Sequence, residues 1–486
     1  MEELSRNNSG NNIGVPRKSI LERRRLARWN HELERKDIRR ARRFNSKRVK
    51  KHHKKRIWYR NRVLTYLRSK LNGKDISYYH EQEKAWVIPI PSDFSFITNT
   101  EETLNVLYSI VAASNKEPYS IFIDHSKCKN MDLGASAVLD VITLSIRQEW
   151  RVNTISYHIA GRYPDDSDVM AVIACMGITK HLKATGMQVP KEVEEQFVKF
   201  ELLHGRRQAK DRILAPSSQE KAATDLALYL NGCFEKASGY SFKGSGKKQV
   251  VQWAGELITN AEEHSEQAEW YSIAYMKPVE SAQIEDGTQA VMGECHLVVF
   301  NFGRSIYESL SSEDTPVGTR EQISNLVNKH ASKGFFGIGQ YNPEDLWTLY
   351  ALQDGVSRFA ETPGSISRGK GTVKMIQAFQ TLGETLENDD GKHPEMALVS
   401  GKTCIRFDQK YKLVPVSFPG GERFIVAFNE NNSLEEKPDR RNVSGIGGFF
   451  PGTLLTFRFY IDRRYLDKTI KTPPATEGGS NDKKDD

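Results

Sequence analysis

The chain has 486 residues, 38% hydrophobic and 27% charged, which is too long for one core and fits two or three soluble globular domains. No apolar run approaches the roughly 20 residues that span a bilayer, and the polar start lacks the apolar stretch of a secretory leader. The expectation is a cytoplasmic protein with no membrane segment. The formal charge of +8 is uneven: residues 1–70 hold 24 of the 70 Lys and Arg but 6 of the 62 Asp and Glu, so the other 416 residues carry a net −10. Five dispersed cysteines, Cys128, Cys175, Cys233, Cys295 and Cys404, read as reduced thiols rather than a disulfide frame or metal site.

In chain order, residues 1–18 are polar and read as disordered. Residues 19–70 lack Gly and Pro and are rich in Arg, Lys, Leu and Glu, which predicts a basic helical arm with a thin apolar stripe and little core of its own. The run KRVKKHHKKR at 47–56, followed by Trp58, Tyr59 and Tyr66, mixes cations with aromatic rings. That mixture suits phosphate backbones and base stacking, so residues 19–66 are a candidate nucleic-acid surface. A solvated basic helix, or an arm that docks on an acidic protein, fits the same composition.

A compact α/β domain is predicted over 78–185, where strand patterns (AWVIPI, YSIFIDHS, TISYHIAG) alternate with helical ones (TEETLNVLYSIVAAS, ASAVLDVITLSIRQEW, DSDVMAVIACMGITKHL). Residues 186–216 read as a linker with a helix over 189–203. Residues 217–466 form the largest predicted domain, and 467–486 read as a disordered tail.

The segment KKQVVQWAGELITNAEEHSEQ at 247–267 has apolar residues at helical period, with Glu256, Asn260 and His264 four apart on a neighbouring stripe. Taken alone, this reads as the polar edge of an amphipathic helix. Its context is informative. Two strand patterns, EWYSIAYM and CHLVVF, lead to Asn301-Phe302-Gly303-Arg304-Ser305, where Gly303 permits close backbone approach to a ligand. Gly369-Lys370-Gly371-Thr372 precedes an apolar-periodic helix, the arrangement that presents backbone amides to phosphate. Gly452-Thr453 opens a last strand, LLTFRFYI. A P-loop is excluded, because neither GSGKK at 244–248 nor GKGT at 369–372 has Walker A spacing.

Glu-x-x-x-Asn-Ala-x-x-His, a strand ending in a polar-x-Gly element, Gly-x-Gly before a helix and Gly-Thr before a strand together resemble the GHKL superfamily of ATP-binding domains. The resemblance covers roughly 217–465. It implies a Bergerat fold, a two-layer α/β sandwich with a mixed sheet. It implies ATP and Mg²⁺ as cofactors, Glu256 as general base and Asn260 as the magnesium ligand. Asn301, Gly303, Gly369, Lys370, Gly371 and Thr453 become nucleotide-binding residues, and the region from Gly303 to Gly369 becomes a lid. Two positions depart from the pattern: Asn301 stands where the family has an adenine-binding Asp, and Ser305 replaces a glycine.

The segment SIFIDHSKCKNMDLGASAVLDVI resembles the STAS domain of anti-sigma-factor antagonists, with Asp124 and Asp132 at its two Asp positions. The family's phosphorylated serine falls on Leu133 or Gly134, with Ser136 the nearest hydroxyl. The combination implies a bacterial signalling protein, an ATPase or ATP-driven switch that regulates a protein partner. The alternatives are a serine/threonine kinase acting on a separate protein, or a nucleic-acid adaptor using the basic arm.

Overall fold

The computed structural model describes residues 58–175, 198–206, 215–238, 244–263, 269–283, 289–331, 341–356, 371–383, 393–418 and 421–462. The predicted disordered ends, the basic run at 47–56, His264, Gly369 and Lys370 lie outside them. The chain divides into two compact units, residues 1–60 with 148–155 and residues 61–147 with 156–486. In the first, Asn153 accepts from the Tyr59 N–H and donates to the Tyr59 carbonyl, each at 2.8 Å. The elements below belong to the second, apart from residues 148–152 at the end of one helix.

Helix α1 (Arg62–Lys70) is capped by Asn61, whose side chain accepts from the Leu64 N–H. Val63, Leu64 and Leu67 are buried, so this end of the predicted exposed arm is a docked helix. Three apolar residues at i, i+1 and i+4 supply the face that its charged neighbours conceal in the sequence.

The next elements are β1 (Tyr78–His80), β2 (Ala85–Pro89), β3 (Asp93–Phe94), α2 (Thr100–Ala113), β4 (Ser120–Asp124), β5 (Asn130–Met131), α3 (Leu133–Val152), β6 (His158–Arg162) and α4 (Ser167–Cys175). They build a mixed four-stranded sheet in the order β1-β2-β4-β6, with β2, β4 and β6 parallel and β1 antiparallel at the edge. The long helices α2 and α3 supply the crossovers that parallel pairing requires.

The chain continues through β7 (Val198–Arg206), α5 (Ala215–Ser238), α6 (Gly244–Glu263), β8 (Glu269–Gln283), β9 (Gln289–Phe302), α7 (Ile306–Leu310), α8 (Val317–Ala331), α9 (Pro343–Tyr350), α10 (Gly371–Gly383), β10 (Glu395–Phe407), the hairpin β11 (Val414–Phe418) and β12 (Gly421–Ile425), and β13 (Val443–Asp462). The protein is therefore a mixture of helices and sheets, as the alternating patterns predict. The larger sheet, in the order β10-β13-β9-β8-β7, is antiparallel throughout rather than mixed. The β8–β9 connection is too short for a crossover helix, which forces antiparallel pairing there. The helix expected over 189–203 is a strand from Val198 onward, where pairing with the edge of β8 overrides a weak helical propensity.

Alternation along these strands separates two faces. Trp270, Ala274, Met276, Leu297, Val299, Leu398, Phe457 and Phe459 pack with Leu226 and Leu230 of α5, Leu257 and Ile258 of α6, and Ile376 and Phe379 of α10. At about 1.5–3 kcal/mol for each large side chain removed from water, this layer holds α6 and α10 in place. The reverse face is covered by the preceding α/β segment: Phe96 meets Phe450 edge to face at 5.8 Å, and a Cβ on Gly134 would lie 3.1 Å from that of Thr456. Arg406 of β10 reaches across to donate to the Ile97 carbonyl (2.7 Å) and the Thr100 hydroxyl (2.9 Å).

Candidate functional site

Burial of Ala254, Leu257, Ile258 and Ala261 fixes the rotation of α6 and leaves Glu256 and Asn260, one turn apart, at its half-exposed edge. The first residue of α10 comes to the same place. A Cβ on Gly371 would stand 2.7 Å from Glu256 Oε2 and 3.3 Å from Asn260 Nδ2. One turn into α10, Lys374 Nζ donates to Glu256 Oε1 at 3.1 Å. A carboxylate, an amide, an ammonium group and a glycine backbone thus converge from two distant stretches of sequence. Lys374 was not singled out by motif, although its i+3 spacing from Gly371 puts it on the same side of the helix.

Asn301 lies at the end of β9, directly opposite Thr453 in the ladder, and is wholly buried. Its side-chain oxygen accepts from the Thr453 N–H at 3.0 Å, and its amide donates to the Ala261 carbonyl at 2.5 Å. It therefore clamps the last turn of α6 to β9 and β13. Thr453 Oγ1 lies 3.1 Å from Ser400 Oγ, which donates to the Gly452 carbonyl and accepts from the Ile306 N–H. Gly303 is also buried, its carbonyl accepting from Tyr66 Oη at 2.6 Å. This bond commits Tyr66, one of the rings assigned by sequence to base stacking, to the fold. Ser305 stands where a glycine was expected because it opens α7 with a reciprocal capping box to Glu308.

Beyond these, α9 carries two buried carboxylates within the predicted lid region. Glu344 accepts from the Lys402 N–H at 2.7 Å and Asp345 from Thr403 Oγ1 at 2.8 Å. Burial pushes Asp345 up to about 6, opposed by the Thr403 hydrogen bond and reinforced by the Glu344 charge.

A cavity of about 250 Å³ opens on the reverse face of the large sheet, lined in part by Asp168, Lys277, Glu294, His296, Glu395 and Arg458. These groups are paired: Glu294 meets His296 (2.8 Å) and Lys277 (3.5 Å), Lys277 meets Asp168 (3.3 Å), and Arg458 meets Glu395. Burial would raise Glu294, but the His296 hydrogen bond and the charges of Lys277 and Arg458 bring it down to about 2. Asp132 also lines this cavity, whereas Glu256, Asn260, Asn301, Gly303, Gly371 and Thr453 do not.

In the preceding segment Asp124 ends β4, 3.5 Å from Arg162 of β6. Asp132 caps α3, accepting from the Ala135 N–H, the Ser95 hydroxyl and the Ile97 N–H, and burial raises its pKa. Ser136, the nearest hydroxyl to the expected phosphoacceptor position, is only 4% exposed, which keeps it from a kinase in this conformation.

No protein-family model, curated protein or solved structure matches the chain. No described helix is long and apolar enough to cross a membrane.

Proposed function

We propose that the C-terminal part of the chain binds Mg-ATP as a GHKL-type domain of Bergerat fold and works as an ATPase or ATP-driven switch. The convergence of Glu256 and Asn260 on α6 with Gly371 and Lys374 on α10 carries this reading. Glu256 lies one helical turn before Asn260, the spacing that the resemblance assigns to a base and a metal ligand. Among the described residues no group of three or more His, Cys, Asp or Glu side chains could hold a metal ion. Magnesium keeps most of its waters and needs only one or two protein oxygens, here the Asn260 amide. Bound there, the ion would neutralise phosphate charge. Lys374 and the amides at the head of α10 would orient the phosphates, joined by Gly369 and Lys370 next to it in sequence. At the base end Asn301 already spends its oxygen on Thr453 and its amide on Ala261, so adenine would share a hydrogen-bonded group rather than meet a free carboxylate.

The segment over 78–185 then serves as a STAS-like regulatory surface for a protein partner rather than as a phosphoacceptor, because Leu133 and Gly134 lack hydroxyls and Ser136 is buried. Equilibrium binding of labelled ATP, with and without Mg²⁺, and phosphate release together test the reading. Asn260→Ala is expected to abolish Mg-dependent binding, and Glu256→Ala to stop turnover while binding survives. Absence of binding at millimolar ATP in the wild type would sink it. Transfer of label to a second protein, in place of phosphate release, would mark a kinase.

A further inference from the structure

Resting on that reading, we infer that Lys374 is the residue that distinguishes a nucleoside triphosphate from a diphosphate, and that its ion pair with Glu256 is the resting position of this sensor. The Lys374–Glu256 pair is half-exposed, with side-chain exposures of 37% and 32%. Pairs of this kind are weakly held in water. They exchange readily for a partner of higher charge, since hydrogen bonds to ionised acceptors are the strong ones. An ammonium group on a four-carbon stem re-aims at little cost and suits a rounded phosphate better than a planar carboxylate.

The surroundings limit where it can turn. Gly371 is pressed against Glu256 and Asn260, with no room for a Cβ between α10 and the Glu256 carboxylate. Lys374 follows one turn later on the same side of α10, so its ammonium group borders the space that Asn260 and the head of α10 face. A diphosphate lacks the terminal group that would draw Lys374 away, and leaves the pair with Glu256 intact. A triphosphate takes Lys374 over and frees Glu256 Oε1 to accept from water. The same exchange thus reports the third phosphate and releases the base.

The test is equilibrium binding of labelled ATP and ADP with Mg²⁺ to the full-length protein and to Lys374→Ala, Lys374→Arg and Glu256→Gln. Lys374→Ala is expected to weaken ATP by about tenfold or more while ADP stays within about twofold, the cost of one charge-assisted contact. Lys374→Arg should recover most of the ATP affinity, and Glu256→Gln, which unpairs Lys374, should tighten ATP selectively. If the wild type binds ATP and Lys374→Ala shifts ATP and ADP equally, or neither, the sensor role falls while the nucleotide site stands. If the wild type binds neither nucleotide, both fall. Coincident thermal melts of wild type and variants keep a folding defect from imitating either result.

Discussion

A Cβ on Gly452 would stand 2.2 Å from the carbonyl oxygen of Asn301, and Gly452 holds a φ of +136°, where side chains are rarely found. The two strands carrying Asn301 and Thr453 close on each other only because this position is bare. Gly452→Ala is therefore expected to cost about 3 kcal/mol or more through clash and backbone strain. Gly232, inside α5 with nothing within 4 Å of its would-be Cβ, is the contrasting case. Gly232→Ala should stabilise by about 0.5–1 kcal/mol. Urea denaturation of both variants gives the comparison.

Placing an acidic residue at position 301 is expected to harm the fold. Asn301→Asp keeps an acceptor for the Thr453 N–H but removes the donor to the Ala261 carbonyl and sets an ionised oxygen against it in a fully buried site. The expected loss is about 2–4 kcal/mol at neutral pH. Protonation of the new carboxyl supplies the missing donor, so the deficit should shrink in acid. Denaturation midpoints at two pH values measure this.

The carboxyl group of Asp345, raised from its ordinary value to about 6 by burial, makes stability depend on pH. Between about pH 4 and 6 the folded chain keeps this proton longer than the unfolded chain does. Its contribution to stability therefore falls as pH rises through that window and is flat above it. The penalty at neutral pH reaches at most about 3 kcal/mol, at 1.36 kcal/mol per unit. Asp345→Asn preserves an acceptor for Thr403, and the difference between its stability curve and that of the wild type should show this slope and nothing above pH 7.

Arg406 donates through separate nitrogens to the Ile97 carbonyl, the Thr100 hydroxyl and, at 3.2 Å, the Ser444 hydroxyl. Arg406→Ala should cost about 1–3 kcal/mol, and Arg406→Lys should recover little, because one ammonium cannot reproduce a planar fork. Hydrogen exchange at the start of α2 is the direct readout, with faster exchange expected in both variants.

Periodicity made much of this fold legible. The apolar spacing around Glu256 and Asn260 predicts α6, and the run after Gly371 predicts α10. Hydrophobic alternation marked the middles of β8 and β9, but those strands run on through Lys277 and Glu294, whose charges read as strand ends. They sit inside the sheet because each finds an opposite charge on the reverse face, a partner no local pattern reveals. Chain separation hid the rest. Motif spacing selected Glu256, Asn260 and Gly371, yet the ion pair to Lys374 and the Asn301 clamp on Ala261 exist only once α6, β9, β13 and α10 are brought together.

The hydrogen bond from Tyr66 to Gly303 gives α1 a mechanical meaning. Helix α1 grips the turn after β9 by that phenol. The Gly303 carbonyl that it holds is two residues from the Asn301 clamp. Helix α1 is in this sense a handle on the turn, because its phenol holds the same stretch of backbone that tethers α6.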